Sequence, residues 1–268
     1  MINLRIGIIG MGYVGKAVKE AYHDSRTDIV LLDPALGYYG SYEDTIKNTD
    51  AVFVCVPSPT KEDGTCDISI LDSVLNNLKR VKYRNLVISK VTADPRYYQN
   101  ANEEMPNLVH IPEFLTAANS IRDYIHASTV IIGGSVNAYI KDAERIVRLG
   151  QPHIEDVLFC SIAEAAYAKY VINCYLATKV VFLNEIQSLA ETLGYDYAMI
   201  RRLITSDPRI GSSHTQVPGP DGSYGFGGAC FPKDTAAFLS LAQSAGSPLE
   251  LLETAIKKNT LLRLKNND

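Results

Sequence analysis

The chain has 268 residues, 46% of them hydrophobic, which is enough for one large domain or two modest ones with a proper core. Its formal net charge of −4 predicts no basic surface for nucleic acid or for an anionic membrane. The apolar runs are only as long as strands, so we expect no membrane span, signal peptide or transit segment. Five scattered cysteines without a C-x-x-C pair favour a reducing, cytoplasmic location over a disulfide framework or a metal site.

The N-terminal segment has the pattern of a dinucleotide-binding unit. An apolar run at 4–9 predicts a buried strand and 13–22 predicts a helix, with Gly10, Gly12 and Gly15 at their junction in a G-x-G-x-x-G pattern. The first glycine would allow the tight turn, the second would let a pyrophosphate approach, and the third would let strand and helix pack closely. The cofactor contacts expected from this loop are Gly10, Gly12, Tyr13, Val14 and Gly15.

An acidic residue follows the second predicted strand, 28–32. Asp33 lies about twenty residues beyond the glycines, where a carboxylate can hydrogen-bond a ribose 2′-hydroxyl. A 2′-phosphate would meet the same negative charge. The sequence therefore predicts NAD rather than NADP as the cofactor.

Short apolar runs alternate with helical ones through the first half of the chain. Strands are predicted at 51–56, 85–91, 107–111 and 129–132, and helices at 69–80, 95–104 and 136–149. This alternation is typical of an α/β fold with a Rossmann-type, doubly wound parallel sheet. Because ligands of such sheets bind beyond the carboxyl ends of the strands, the candidate site segments are Asp33, 57–60, 90–92 and 112–114.

The pattern changes near residue 160. Ser161 and Glu164 form a capping-box pattern, and a helix is predicted from there to Leu193, with Gly194 ending it. About 33 residues at 1.5 Å each give roughly 50 Å, the length of a helix that joins two domains or forms a subunit interface. Further helices are predicted beyond it, interrupted by a loop at 206–228. We therefore predict an NAD-binding domain at 1–158 and a domain at 159–268 that combines the central helix with an all-helical dimerisation and catalytic region.

Two polar residues of the long helix are candidates for chemistry. Lys169 and Asn173 are four residues apart and so share one helix face, among mostly apolar neighbours. The alternative is a lysine whose stem packs while its charge stays in water, beside a solvated asparagine. A lysine and an amide on one face are also suitable donors for a developing oxyanion.

The segment 225–234, GFGGACFPKD, is the most informative in the chain. Its glycines let the backbone approach a ligand closely, and Pro232 suits the first turn of a helix. Cys230 would then lie at the positive end of that helix with Lys233 nearby, a setting that favours the nucleophilic thiolate. The alternative is a buried structural cysteine in a turn.

Together these motifs resemble the UDP-glucose/GDP-mannose dehydrogenase family along nearly the whole chain. The segments that carry the resemblance are 10–15, 56–60 with Asp67, 112–115, 161–185, 207–211 and 225–234. The cysteine segment is the most specific of them, since other β-hydroxyacid dehydrogenases share the glycine loop and the long helix without it.

The resemblance implies oxidation of a nucleotide-sugar C6 alcohol, as in UDP-glucose, to a carboxylate with two NAD, through a thiohemiacetal and a thioester on Cys230. Lys169 and Asn173 would hold the C6 oxygen, Asp234 would assist proton transfer, and Glu113 would orient or deprotonate the hydrolytic water. A homodimer through the central helix is predicted separately, because the apolar faces of that helix exceed what one small domain can cover. The other site residues implied are Phe114, Leu115, Arg209, Phe226, Gly227 and Lys233 for the substrate, with Arg209 reaching a neighbouring subunit, Pro57 and Ser58 for the cofactor, and Thr92 for both cofactor and catalysis.

The sequence departs from the family pattern in three places. Thr92 stands in 89–95, SKVTADP, where the family has Lys-Ser-Thr, an apolar residue and Pro. Thr116-Ala117 replaces an Arg-Glu pair, so a phosphate contact and a second carboxylate are expected to be missing. The family also continues into a third domain that binds the nucleotide half of the substrate. The chain stops at Asp268, so we expect that domain to be absent and the extra loop at 212–223 to compensate in part.

Three functions are consistent with these motifs. The first is a nucleotide-sugar 6-dehydrogenase. The second is a two-electron NAD dehydrogenase of small hydroxy acids that uses Lys169 alone. The third is a catalytically weak, NAD-binding dimeric module that needs a partner.

Overall fold

The structure is a computed structural model that describes residues 4–23, 27–116 and 119–264. The chain divides into two compact units, one made of 1–59 and 66–169 and the other of 60–65 and 170–268. The domain boundary predicted between 158 and 159 stays a prediction.

The described part of the first unit contains a seven-stranded sheet in the order β2-β1-β3-β4-β5-β6-β7. The strands are β1 (Leu4–Ile9), β2 (Thr27–Leu32), β3 (Ala51–Val54), β4 (Leu86–Ser89), β5 (Leu108–His110), β6 (Thr129–Gly133) and β7 (Asp156–Cys160). Strands β1 to β5 are parallel, and the almost wholly apolar β1 and β3 are buried as expected for strands covered on both faces. The predicted α/β, Rossmann-type fold class is confirmed.

The end of the sheet differs from the predicted all-parallel arrangement. β6 pairs with β5 in the antiparallel sense, through His110 and Gly133, and β7 runs parallel to β6. An apolar run has the same pattern in either direction, so its residues do not indicate this reversal. β7 and the short helix α4 (Ser120–Ile125) were not predicted. In β7 the exposed Leu158 and Phe159 are adjacent, which breaks the alternation that marks a half-buried strand.

Helices cover both faces of this sheet. They are α1 (Tyr13–Ala21), α2 (Ser69–Arg80), α3 (Pro95–Glu104), α4, α5 (Asn137–Gly150) and the first turns of α6 (Ile162–Thr192). Alternate residues of β1 separate two cores. Ile6 and Ile8 pack with Phe53 on one face, whereas Ile9 packs with Leu71 and Leu75 of α2 on the other. The carboxyl ends of β1 to β5 therefore meet along one edge, where the candidate site segments lie.

The long helix α6 begins and ends as the sequence predicts. The Ser161 N–H donates to Glu164 Oε2 at 2.8 Å, and the Glu164 N–H donates to Ser161 Oγ at 3.2 Å, which is a capping box. At the other end Gly194 has φ +73°, the left-handed conformation that terminates helices. The 31 residues of α6 span roughly 46 Å.

The second unit is helical. Beyond the remaining turns of α6 it contains α7 (Tyr197–Ile204), α8 (Phe231–Ser244) and α9 (Glu250–Leu264). Its apolar core joins Ala177 and Val181 of α6 to Phe226 and to Ala255 and Leu262 of α9. Within the described ranges of the chain, none of the helices is long and apolar enough to cross a membrane.

Candidate active site

The glycine loop has the geometry that each of its glycines was predicted to supply. Gly10 has φ +92°, and a Cβ there would lie 2.8 Å from the Cys55 backbone. A Cβ on Gly15 would lie 2.0 Å from the Gly10 carbonyl oxygen, so the close approach of α1 to β1 requires glycine. Gly12, the N-cap of α1, faces open space, and Tyr13 beside it is 67% exposed. The helix N-terminus is thus open to a pyrophosphate, and cofactor contacts by this loop, including half-buried Val14, stay proposals.

Asp33 lies at the end of β2 and is tied to the same loop. Its Oδ2 accepts the Met11 N–H at 2.7 Å, which fixes the carboxylate beside the glycine turn. Two backbone hydrogen bonds to Tyr38 close the segment that follows. A fixed carboxylate here can bind a ribose 2′-hydroxyl and repel a 2′-phosphate, so these residues fit NAD.

The segments after β3 and β4 lie on the same edge of the sheet. Pro57 is exposed and Ser58 is buried after β3, and Thr92 is half-buried after β4. Their roles toward cofactor and catalysis stay proposals.

The segment after β5 carries a glutamate that contacts two lysines, one through its carboxylate and one through its backbone carbonyl. Glu113 Oε1 accepts the Phe114 N–H at 2.9 Å, and Oε2 lies 2.9 Å from Lys90 Nζ. Lys169, from α6, donates to the Glu113 carbonyl oxygen, and its Nζ lies 4.9 Å from the centroid of the Phe114 ring. The structure thus brings the predicted residues Glu113, Phe114 and Lys169 together, and Leu115 packs against the adjacent core.

The second unit holds a cluster around Asp234, whose side chain is only 1% exposed. Asn173 Nδ2 donates to Asp234 Oδ2 at 2.5 Å, and Lys233 Nζ lies 2.6 Å from Oδ1. Cys230 is the N-cap of α8 and is exposed, and its carbonyl accepts the Asp234 N–H at 2.8 Å. An exposed thiol at a helix N-terminus, one turn from a buried carboxylate, can act as a nucleophile with a proton acceptor nearby.

Two buried asparagines hold the glycine-rich segment that leads to Cys230. Asn184 Oδ1 accepts the Gly225 N–H at 3.0 Å, and the side chain of Asn259 bonds both backbone groups of Phe226. Gly225 has φ +75°, and a Cβ there would lie 2.4 Å from Asn259 Oδ1. Both backbone polar groups of Phe226 are therefore committed to Asn259, and a contact between Phe226 and substrate stays a proposal.

Arg209 and Gly227 are less buried than Asp234 and the two asparagines. The Arg209 side chain is 87% exposed and pairs with Asp207 at 2.6 Å. Lys179 of α6 holds the loop beyond it, donating to the carbonyl oxygens of Ile210 at 2.8 Å and Ser213 at 2.7 Å. Gly227 packs against the guanidinium of Arg263.

Three residues around these sites were not predicted as site residues. The sequence pattern places Lys90 in a strand-end segment and His110 in a strand, and it gives no signal for Asn259. Burial, and to a lesser extent the charges of Lys90 and Lys169, lower the pKa of His110 to about 3, so its ring is neutral. The partners of Lys90, His110 and Asn259 are all distant in the sequence. The one local sign of a site residue was the position of Lys90 directly after a buried strand.

Two domain models of one protein family match the chain. Residues 34–149 match the NAD binding domain of the UDP-glucose/GDP-mannose dehydrogenase family, and residues 163–261 match its central domain. NAD, the predicted cofactor, is thereby confirmed. No group of three or more His, Cys, Asp or Glu suited to a metal ion occurs among the described residues.

Individual relatives agree with these matches. UDP-glucose 6-dehydrogenase YwqF of Bacillus subtilis is 32% identical over 237 residues, which are 85% of this chain and 52% of that protein. The chain spans between 52% and 64% of the length of four curated relatives that it matches.

Solved structures share the fold. A UDP-glucose dehydrogenase from Pyrobaculum islandicum has 24% identity and a TM-score of 0.82, covering 97% of this chain and 68% of that one. The 3-hydroxyisobutyrate dehydrogenase of Mycobacterium tuberculosis has 17% identity and a TM-score of 0.75, covering 96% and 92%. The two domain matches follow one another in the family's order and span most of the sequence. The chain therefore belongs to the UDP-glucose/GDP-mannose dehydrogenase family.

Proposed function

We propose that the chain is the catalytic part of an NAD-dependent nucleotide-sugar 6-dehydrogenase that oxidises the C6 alcohol of UDP-glucose to the uronic acid. The observation that carries this proposal is the exposed Cys230 at the N-terminus of α8, one turn from the buried Asp234 that binds Asn173. Family membership and the relatives named UDP-glucose 6-dehydrogenase support the substrate class.

The residues of the chain have distinct tasks in this reaction. NAD, held by the glycine loop and Asp33, would supply the hydride acceptor for each of the two oxidations. Lys169 and Asn173 donate hydrogen bonds to the C6 oxygen, which bears the developing negative charge. Cys230 Sγ bonds to the aldehyde carbon produced first, and the resulting thiohemiacetal is oxidised to a thioester. Asp234 assists proton transfer at Cys230.

Hydrolysis then frees Cys230. The oxygen of a water molecule bonds to the thioester carbon, the C–S bond breaks with its electron pair on Sγ, and Glu113 takes the proton of the water. Thr92, which follows the neighbouring strand β4, assists this hydrolysis. The uronic acid leaves as a carboxylate, and the thiol is restored.

Other residues bind the substrate without taking part in bond changes. The substrate contacts we propose are Phe114, Leu115, Arg209, Phe226, Gly227 and Lys233. For Arg209 to bind a phosphate of the substrate, its guanidinium has to share or leave Asp207. Because the Arg209 side chain lies in solvent, it would be able to bind substrate held by a neighbouring subunit.

The second unit supports a homodimer. Tyr175 and Phe182 of α6, Leu203 of α7 and Leu251 of α9 are all exposed, and Phe182 and Leu251 line one apolar groove. Contiguous apolar surface of this kind marks interaction sites. We propose that a second copy of the chain covers it, as the apolar faces of the long helix predict.

The cysteines support a cytoplasmic location. All five are free thiols, and only Cys230 among them is exposed. Free thiols persist where the compartment is reducing. We therefore propose that the protein works in the cytoplasm.

The function is tested by counting NADH per sugar with a panel of UDP- and GDP-sugars. Wild type should give two NADH and a uronic acid, and Cys230→Ser should give none of the acid while still binding NAD. Cys160→Ser, at a half-buried cysteine of β7, is the matched control and should behave as wild type. Uronic acid at the normal rate from Cys230→Ser would exclude the covalent mechanism. One NADH per sugar would mean that oxidation stops at the aldehyde, and none from any sugar would favour either a dehydrogenase of small hydroxy acids or a module that needs a partner.

A further inference from the structure

A lysine that follows β4 is paired with the carboxylate that follows β5. Lys90 Nζ lies 2.9 Å from Glu113 Oε2, and the two side chains are 3% and 14% exposed. We propose that Lys90 is a positioning residue for thioester hydrolysis, holding Glu113 as an oriented carboxylate for the hydrolytic water. This inference rests on the proposed function, and it adds a residue to which that function gives no role.

The burial of Lys90 requires an anion. An ammonium group out of contact with water is tolerated only with a compensating partner. Among the described residues Glu113 is the one carboxylate paired with it, and the ring of Tyr124, with its centroid 5.1 Å from Nζ, covers another side. Removing either member of the pair therefore leaves an uncompensated charge.

The contacts of Glu113 fix the orientation of its carboxylate. Oε1 accepts the Phe114 N–H at 2.9 Å, and the Glu113 carbonyl oxygen accepts from Lys169. Oε2 is close to Lys90 but has no hydrogen bond of good geometry from any described residue, although the atom is buried. The contact with Lys90 is therefore mainly electrostatic, and together with the Phe114 N–H it holds the carboxylate in one orientation.

The role of Lys90 is confined to one step. In hydrolysis a water proton moves to the Glu113 carboxylate while the water oxygen bonds to the acyl carbon and the C–S bond to Cys230 breaks, its electron pair staying on Sγ. Without the lysine the carboxylate is free to rotate away from the Phe114 N–H. The two hydride transfers, which need no proton acceptor at this position, do not depend on Lys90.

The test separates the oxidations from the hydrolysis. Wild type, Lys90→Met, Lys90→Arg and Glu113→Gln are mixed rapidly with NAD and UDP-glucose, and NADH is followed from the first turnover. Lys90→Met should release a burst of two NADH per Cys230 and then turn over at least tenfold more slowly than wild type, as should Glu113→Gln. Lys90→Arg, which restores the cation, should recover most of the steady-state rate.

Other results would overturn the inference. A steady-state rate in Lys90→Met equal to wild type would mean that the ion pair is only structural, and so would a burst that shrinks in step with the rate. If Lys90→Met does not fold, Lys90→Met/Glu113→Gln removes both charges, and normal hydrolysis by that double variant would refute the proposal. A wild type that makes no uronic acid would instead show that the proposed function has failed, and the inference with it.

Discussion

The Asn259 side chain pairs with both backbone polar groups of Phe226. Its Oδ1 accepts the Phe226 N–H at 2.6 Å, and its Nδ2 donates to the Phe226 carbonyl at 3.0 Å. All four atoms are buried in the helical unit, so α9 fixes the backbone of the segment that leads to Cys230.

Replacing this asparagine should destabilise the protein and misplace the nucleophile. Asn259→Leu leaves a buried N–H and C=O unsatisfied, at about 1–3 kcal/mol each. We therefore expect the free energy of unfolding in urea to fall by roughly 2–5 kcal/mol, together with a loss of kcat. Asn76→Leu makes the same substitution at an exposed position of α2 and should change stability by less than about 0.5 kcal/mol. Equal effects of the two variants would contradict the role of Asn259.

Lys169 should be needed for the oxidation steps themselves. Lys169→Ala removes a donor to the C6 oxygen, and such a donor is worth about 3 kcal/mol, or roughly a hundredfold in rate. The affinity for NAD, measured by titration, should be unchanged. Lys257→Ala removes an exposed lysine of α9 and is the control. If Lys169→Ala retains more than a tenth of the wild-type kcat, the main role of the lysine is to pack against Phe114.

Asp33 should select NAD over NADP by its charge. Asp33→Asn keeps an oxygen for the Met11 N–H but removes the negative charge that a 2′-phosphate would meet. We expect the preference for NAD, taken as a ratio of dissociation constants, to fall about tenfold, or about 1.4 kcal/mol. A wild type that binds NADP as tightly as NAD would refute this.

His110 should make the protein less stable in acid. Burial lowers its pKa in the folded state from 6.5 to about 3, so between these values the unfolded chain binds more protons. Its contribution to stability is fully present above about pH 6.5 and is lost as the pH falls toward 3. Between pH 7.5 and pH 5 we expect a loss of roughly 2 kcal/mol in the free energy of unfolding.

The control separates this histidine from the others. His110→Gln should remove that part of the pH dependence, whereas His153→Gln, at an exposed position, should leave it in place. The same slope in His110→Gln and wild type would show that another group titrates.

The apolar groove on the helical unit should be covered in solution. Phe182→Glu places a charge among Val181, Ile204 and Leu251, which is unfavourable if a second copy packs there. Sedimentation at micromolar concentration should give a dimer for wild type and a monomer for the variant. A wild-type monomer would contradict the proposed dimer.

Local patterns in the sequence predicted local structure well. The glycine loop, the capping box of Ser161 and Glu164, and the left-handed Gly194 each depend on residues within a few positions of one another, so their spacing was enough. The local sequence also indicated Cys230 and Lys233 at a helix N-terminus, and the family resemblance added the role of Asp234.

Features that depend on distant residues could not be predicted. Lys90 meets Glu113 only because β4 and β5 are neighbours in the sheet. Asn259 reaches Phe226 from 33 residues away, through the packing of α9. The direction of β6 is likewise set by its neighbour, since its own residues have no preferred polarity.

Because the five thiols differ in exposure, alkylation can be used to label Cys230 selectively. Burial raises the pKa of Cys55 and of Cys174 to about 12 and also raises that of Cys160, while Cys66 is buried from solvent. A soft electrophile added at neutral pH will therefore alkylate Cys230 first, at one equivalent per chain. The fraction of chains whose mass increases by one adduct therefore measures how much of a preparation has a reactive Cys230, and this measurement needs no substrate.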